Sequence, residues 1–354
     1  MSLKSMLTGS SKGDKAIQDV IRRNLPQKED FSTAYGQAPF SKYEVLAPYE
    51  LSNPADAGIV GTAFDYLARA MIAQSLEKNK EDSLLGLKAL IGIERIAKKI
   101  NEKELKVLRN KYIDVLVDFI DYVYSNYALL PDNIIEKCRQ EEFQAWSKYV
   151  HKASFSSYEP NTDINKLISG AYYFAKLEQV YRTGGMLPEN GISSLIIEPS
   201  KELILDLSNL SRVFKERFIE GGLVHPDSVV IFNPSFGIAS YACGGADADV
   251  YVDGVLYDFK TSKKNGYSWQ ETAQLVMYYY LNEIASAMEE PDMPEAPAQL
   301  AEYKIFKLAF YKARFGEIEY FNTEYFSSKE AEENFDEISD LLLNRLKNIG
   351  RMIL

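Results

Sequence analysis

A chain of 354 residues, with 26% charged and 46% hydrophobic positions, has the proportions of a globular protein with a sizeable core, in one large domain or two smaller ones. Its net charge of −11 argues against non-specific coating of nucleic acid, which needs many Lys and Arg contacts to phosphates, while leaving room for a locally positive cleft. Two cysteines and two histidines exclude a four-cysteine zinc or iron–sulfur site and histidine-rich metal centres, so any metal would be held by carboxylates, which favours Mg²⁺ or Mn²⁺.

Along the chain, MSLKSMLTGSSKGDK carries lysines with no apolar stretch behind them; it does not read as a secretory signal but as a short disordered leader. Residues 1–57 are expected to form a loop-rich segment, with FSTAYGQAPF and LSNPADAG as turn-forming stretches. From residue 58 the apolar positions recur at helical spacing, first through Ile59, Ala63, Tyr66, Leu67, Ala70 and Met71. The pattern continues through SLLGLKALIGIERIAKKI, ELKVLRNKYIDVLVDFIDYVYSNY, NIIEKCRQEEFQAWSKYV and INKLISGAYYFAKLEQVYR, so 58–200 reads as a large all-helical block ending in the linker RTGGMLPENGISS. No apolar run nears the roughly 18 residues that cross a bilayer, so no membrane partner and a cytoplasmic location are expected. Cys138 and Cys243 read as buried free thiols.

The character changes over 201–354. KELILDLSNLSRVFKERFI is a helix pattern and SVVIFNPSF a strand. YACGGADADVYVDGVLYDFKTSKKNG holds two strands around Asp253-Gly254, a favoured type I′ turn pair. SWQETAQLVMYYYLNEIASAM opens with Ser268 and Glu271 in capping-box spacing. After the proline-rich EEPDMPEAPAQ come two strands in KIFKLAFYKARFGEIEYFN, with a turn near Phe315-Gly316, and an amphipathic helix over about 329–348. This order predicts an α/β sandwich.

The hairpin carries the chemistry. With Asp253-Gly254 at its turn, Val252 faces Val255, Val250 faces Tyr257, Asp249 faces Asp258 and Asp247 faces Lys260. Alternation then puts Asp247, Asp249, Asp258 and Lys260 on one face, and Val250, Val252, Val255, Tyr257 and Phe259 on a core-forming other. Opposed residues lie about 5 Å apart at Cβ, and two like charges there are destabilising unless a divalent cation offsets them. Asp249 and Asp258 would each give an oxygen, and the Phe259 backbone carbonyl could give a third. Lys260 would orient the attacking water or stabilise developing charge. Asp/Glu-x-Lys alone means little, since Glu104-Leu-Lys106 and Glu302-Tyr-Lys304 share it. The signal is the coincidence of hairpin, register and opposing Asp.

GGADADVYVDGVLYDFKTSK followed by QLVMY resembles the PD-(D/E)XK nuclease superfamily, in its RecB-like branch with a Q-x-x-x-Y helix. The resemblance covers about 203–322, with a weaker extension over 58–70. It implies a restriction-endonuclease-like core, a mixed central sheet flanked by helices, with the all-helical block before it and that block's first helix packed on the core. It also implies hydrolysis of DNA phosphodiesters with Mg²⁺ or Mn²⁺. By resemblance Asp249 is the first acid, Asp258 and Lys260 the second motif, and Gln274 and Tyr278 the helix motif; Asp247 is accessory.

The branch often carries Gly-Thr-x-x-His, whose His binds metal. Here GTAFD puts Asp65 at that place, while other members use an acid on the first core helix, which would be Glu216. Lys263, Lys264 and Arg314 are candidate nucleic-acid contacts, though each fits a solvated strand-end cation equally well. The function expected is a DNA nuclease of repair, recombination or phage-related processing, acting on single strands or duplex ends, with protein partners of such a system. The alternative is a non-catalytic nucleic-acid-binding or assembly module on the same fold.

Overall fold

The computed structural model describes residues 3–77, 87–124, 163–288 and 298–348. The helix pattern at 133–150 with Cys138, and His151 beyond it, lies outside them, as does most of the proline-rich stretch.

Six strands among these residues make one mixed sheet. β1 (Ser32–Thr33), β2 (Val230–Phe232), β3 (Val250–Val252), β4 (Val255–Lys260), β5 (Lys307–Lys312) and β6 (Glu317–Asn322) lie in the order β1-β6-β5-β4-β3-β2. Only β4 and β5 run parallel; every other neighbouring pair is antiparallel. The β3–β4 hairpin has the expected register, Val252 opposite Val255 and Val250 opposite Tyr257. Asp253 and Gly254 take φ of 46° and 93°, the left-handed pair that a type I′ turn demands and that Asp-Gly supplies at little cost. A parallel pair needs a crossover, and the nineteen-residue helix α9 below provides it between β4 and β5.

The described helices are α1 (Leu3–Thr8), α2 (Lys12–Arg23), α3 (Ala57–Ser75), α4 (Leu87–Ala97), α5 (Glu102–Tyr124), α6 (Ile168–Arg182), α7 (Lys201–Phe214), the short α8 (Ala239–Ala242), α9 (Trp269–Ala287) and α10 (Lys329–Asn348). Ser200 and Ser268 cap α7 and α9 by accepting from the N–H groups of Leu203 and Glu271. A π-helical turn, Lys215–Ile219, continues α7 and stacks Phe218 on Phe214 with centroids 4.6 Å apart.

Alternation divides the sheet between two cores. Val250, Val252, Tyr257, Ala309 and Tyr311 pack beneath α3 to α7. Tyr251, Leu256, Leu308, Phe310 and Phe321 pack against α1, α2, α9 and α10. Helices over both faces of a mixed sheet make this an α/β fold, as the element order predicts. Helices α3 to α6, the described part of the expected helical block, share their hydrophobic cluster with the sheet, so they are built onto the strands rather than standing apart. No helix among the described residues is long and apolar enough to cross a membrane.

Two expectations are corrected. The N-terminal segment is neither a disordered leader nor loop throughout: Leu3, Met6, Leu7, Ile17, Val20 and Ile21 are buried in the second core, and β1 extends the sheet at its β6 edge. Helices this short are marginal alone; α1 and α2 form because the sheet's second face needs cover. Arg314 is 1% exposed rather than a phosphate contact. Its guanidinium forks onto Asp206 at 2.8 and 2.9 Å and donates to the carbonyls of Thr261 and Pro48 at 2.7 and 3.1 Å. It thereby ties α7, the end of β4 and the loop before α3 together.

Removing one member of a buried pair leaves the other charge uncompensated. Asp206→Ala is expected to lose about 3–5 kcal/mol of stability, read as a lower urea midpoint at unchanged slope; a midpoint equal to wild type would contradict the clamp.

Candidate active site

Alternation along β4 orients the site. Phe259 packs among Phe64, Phe214 and Tyr311, its ring centroid 6.1, 5.5 and 5.9 Å from theirs. Asp258 and Lys260 therefore project from the opposite face, toward α9. Lys260 is ion-paired with Asp258, and its ammonium donates to Gln274 Oε1 at 3.2 Å. Gln274 Nε2 donates in turn to the Tyr278 hydroxyl, one helical turn further on. Tyr278 is buried, with its ring stacked on Phe236 at 5.4 Å. A polar chain thus runs from Asp258 through Lys260 and Gln274 to Tyr278.

Asp249 stands just before β3. Its N–H donates to the Tyr257 carbonyl at 3.3 Å, and its carboxylate accepts from the Phe259 N–H. The paired register ends at Val250–Tyr257, and these two bonds tie Asp249 to the residues on either side of Asp258.

Asp249, Asp258, Phe259, Lys260, Gln274 and Tyr278 line one cavity of about 360 Å³, within the range of small-ligand sites. Asp247 and Asp65 line it too. Gly58, Gly61, Thr62 and Asp65 form the α3 side of the wall, and Glu178 and Arg182 the α6 side. The space beside α3 is open: a Cβ at Gly58 would meet nothing within 4 Å. Asp65 Oδ2 is held by Arg69 at 2.7 Å, and Arg69 lies over the Tyr66 ring at 4.5 Å.

The electrostatics are those of crowded acid. Burial, reinforced by the charges of Asp258 and Asp65, pushes the Asp249 carboxyl well above the usual carboxylate range. Burial also raises Asp258, against the opposing pull of Lys260. For Lys260, burial works to lower the pKa, but Asp258 and Glu271 outweigh it and the ammonium holds its proton more tightly than in water. Burial and then the charges of Asp258 and Asp249 keep the Tyr278 phenol protonated.

Other expected residues lie elsewhere. Of the two acids proposed for the N-terminal side, Asp65 lines the cavity and Glu216 does not; Glu216 pairs with Arg212 at 3.0 Å on the surface of the π-turn. Lys263 and Lys264 are exposed beyond β4 and outside the cavity lining, Lys263 sitting 4.7 Å from the Tyr49 ring. Cys243 is buried, and burial pushes its thiol up to about 12, an inert structural cysteine as expected. Glu178, Arg182 and Lys4 line the cavity without being anticipated; only the i, i+4 spacing of Glu178 and Arg182 hinted at a pair. No protein-family model, curated protein or solved structure matches the chain.

A carboxyl that is more basic folded than unfolded favours the fold below its unfolded value of 3.8, and the advantage is lost as pH rises through the folded value. Asp249→Asn, which cannot ionise, is therefore expected to melt above wild type at neutral pH without divalent ions, with the gap closing as the pH falls toward 3.8. Scanning calorimetry across that range is the check; a variant that melts lower at neutral pH would argue against like-charge crowding.

Proposed function

We propose that this chain is a metal-dependent nuclease hydrolysing DNA phosphodiester bonds, on a restriction-endonuclease-like core of the PD-(D/E)XK kind in its RecB-like branch. The observation that carries this reading is the meeting of three separate motifs in one open cavity: Asp249, the Asp258–Lys260 pair, and Gln274 with Tyr278. The setting, DNA repair, recombination or phage-related processing with single strands or duplex ends as substrate, follows from the resemblance.

The donor set suits a hard divalent cation. Asp249 and Asp258 supply carboxylate oxygens, with the Phe259 carbonyl, Asp65 and Asp247 as further donors around the same cavity. Among the described residues no three His, Cys, Asp or Glu side chains are arranged to hold a metal by themselves. Part of the coordination would then fall to water and substrate oxygens, which is the habit of Mg²⁺ and Mn²⁺ at phosphate-processing sites. When bound, such an ion polarises the scissile phosphate and lowers the pKa of a water.

The protein's own groups divide the remaining work. Lys260, kept protonated by Asp258 and Glu271, serves as a fixed cation for the charge that develops on the phosphorane-like oxygens, and not as a general base at neutral pH. Gln274 holds the ammonium in place, and Tyr278 holds Gln274. Asp249 and Asp258 bring the negative charge that selects a cation.

With Mn²⁺ and linear or single-stranded DNA, wild type is expected to cut and Asp258→Ala to lose both cutting and the calorimetric heat of Mn²⁺ binding. Lys260→Ala should still bind Mn²⁺ while cutting about 10²–10³-fold more slowly, the usual loss for one charge-stabilising donor. Equal loss of Mn²⁺ affinity in the two variants would refute this division of roles. Failure of wild type to cut any DNA or RNA, with binding retained, would favour the non-catalytic module.

A further inference from the structure

The helical region sends a cation into this cavity from a stretch that no nuclease motif covers. Glu178 and Arg182 lie one turn apart on α6 and both line the cavity. Glu178 is 2% exposed, and its two carboxylate oxygens are engaged by the Tyr66 hydroxyl at 2.6 Å and by Arg182 Nε at 2.8 Å. Arg182 Nη2 reaches the same oxygen at 2.6 Å. One edge of the guanidinium is therefore gripped by a buried carboxylate, while the Arg182 side chain as a whole stays 54% exposed.

The rest of the lining explains why such a group is needed. Asp65, Asp247, Asp249 and Asp258 all face the cavity, a hostile approach for a polyanion. The cations that line it among the described residues are Lys4, Arg182 and Lys260, and Lys260 is already committed to Asp258 and Gln274. Arg182 is the cation that is both oriented in advance and exposed. A planar fork with one edge fixed can offer its remaining N–H groups to phosphate oxygens, and the anchoring by Glu178 spares the ordering of a long side chain on binding.

We propose that Arg182 grips a phosphate of the substrate strand beside the reacting one, so that α6 forms one wall of the nucleic-acid cleft. This rests on the nuclease reading and adds to it a substrate contact supplied by the helical region. Were Arg182 only a partner for Glu178 and the neighbouring acids, its loss would alter stability and leave nucleic-acid affinity and its salt dependence alone.

Fluorescence anisotropy of a short labelled single-stranded DNA, in Ca²⁺ and over a salt series, separates these roles. Arg182→Ala is expected to weaken binding about tenfold and to reduce the slope of log affinity against log salt by about one. Arg182→Lys should recover the slope and part of the affinity, and Lys103→Ala, which removes the same charge from the exposed side of α5, should change neither. Arg182→Gln, able to hydrogen-bond Glu178 without charge, carries the comparison if the alanine variant fails to fold. In Mn²⁺ cleavage assays the loss should fall on KM more than on kcat. If wild type binds and cuts DNA while folded Arg182→Ala or Arg182→Gln keeps wild-type affinity and slope, the Arg182 assignment is overturned and the nuclease reading stands. If wild type neither binds nor cuts nucleic acid, both fall together.

Discussion

Strand alternation at β4 governs the molecule. Tyr257 is buried and Phe259 half-buried among the aromatic rings of α3, α7 with its π-turn, and β5, so the intervening Asp258 and the following Lys260 must emerge toward α9. A slip of one residue would drive both charges into that aromatic cluster and turn the rings out of it. The cost of burying unpaired charge makes the register close to obligatory. The site's orientation is thus a by-product of core packing on the face behind it.

Charge inside this protein is mostly matched. Asp206 holds Arg314, Glu319 holds Lys312 at 3.3 Å, Asp65 holds Arg69, and Glu178 holds Arg182. The cavity is where the matching fails. Asp249 shares its surroundings with Asp258 and Asp65, and Lys260, the ammonium that lines the cavity beside them, lies against Asp258. Strongly shifted groups beside an open cavity are characteristic of sites built to bind or react. Local cost at such a place is sustained by the rest of the fold, here by aromatic packing and by the Arg314 clamp at the end of β4.

The helical region and the N-terminal segment belong to this arrangement. α3 contributes a wall of small residues and Asp65, α6 contributes Glu178 and Arg182, and Leu3 and Lys4 of α1 reach the same cavity. The sheet side provides Asp249, Asp258 and Lys260, whereas the helices decide which other charges surround the space. Functional sites commonly sit where separate layers meet, because only there can side chains from distant segments converge on open space.

Much of this was legible locally. The Asp-Gly turn, the β3–β4 register, the Ser268 cap of α9 and the final helix over 329–348 all rest on interactions spanning a few residues, which short patterns encode directly. The convergence of Asp249, Asp258, Lys260, Gln274 and Tyr278 was legible for the same reason: hairpin pairing and one helical turn position most of it. Tertiary structure alone decided the rest. Arg314 reads as a surface cation until α7 brings Asp206 to it across 108 residues. Asp65 rather than Glu216, and Arg182 rather than Lys263 or Lys264, face the cavity because of how α3 and α6 pack on the sheet. α1, α2 and β1 exist because a sheet face and a sheet edge elsewhere need cover. For Arg314, Asp65 and Arg182 each partner is chosen by the fold and not by neighbours in the chain, whereas α2 does carry a local trace, Ile17, Val20 and Ile21 at helical spacing behind the Ser11 cap.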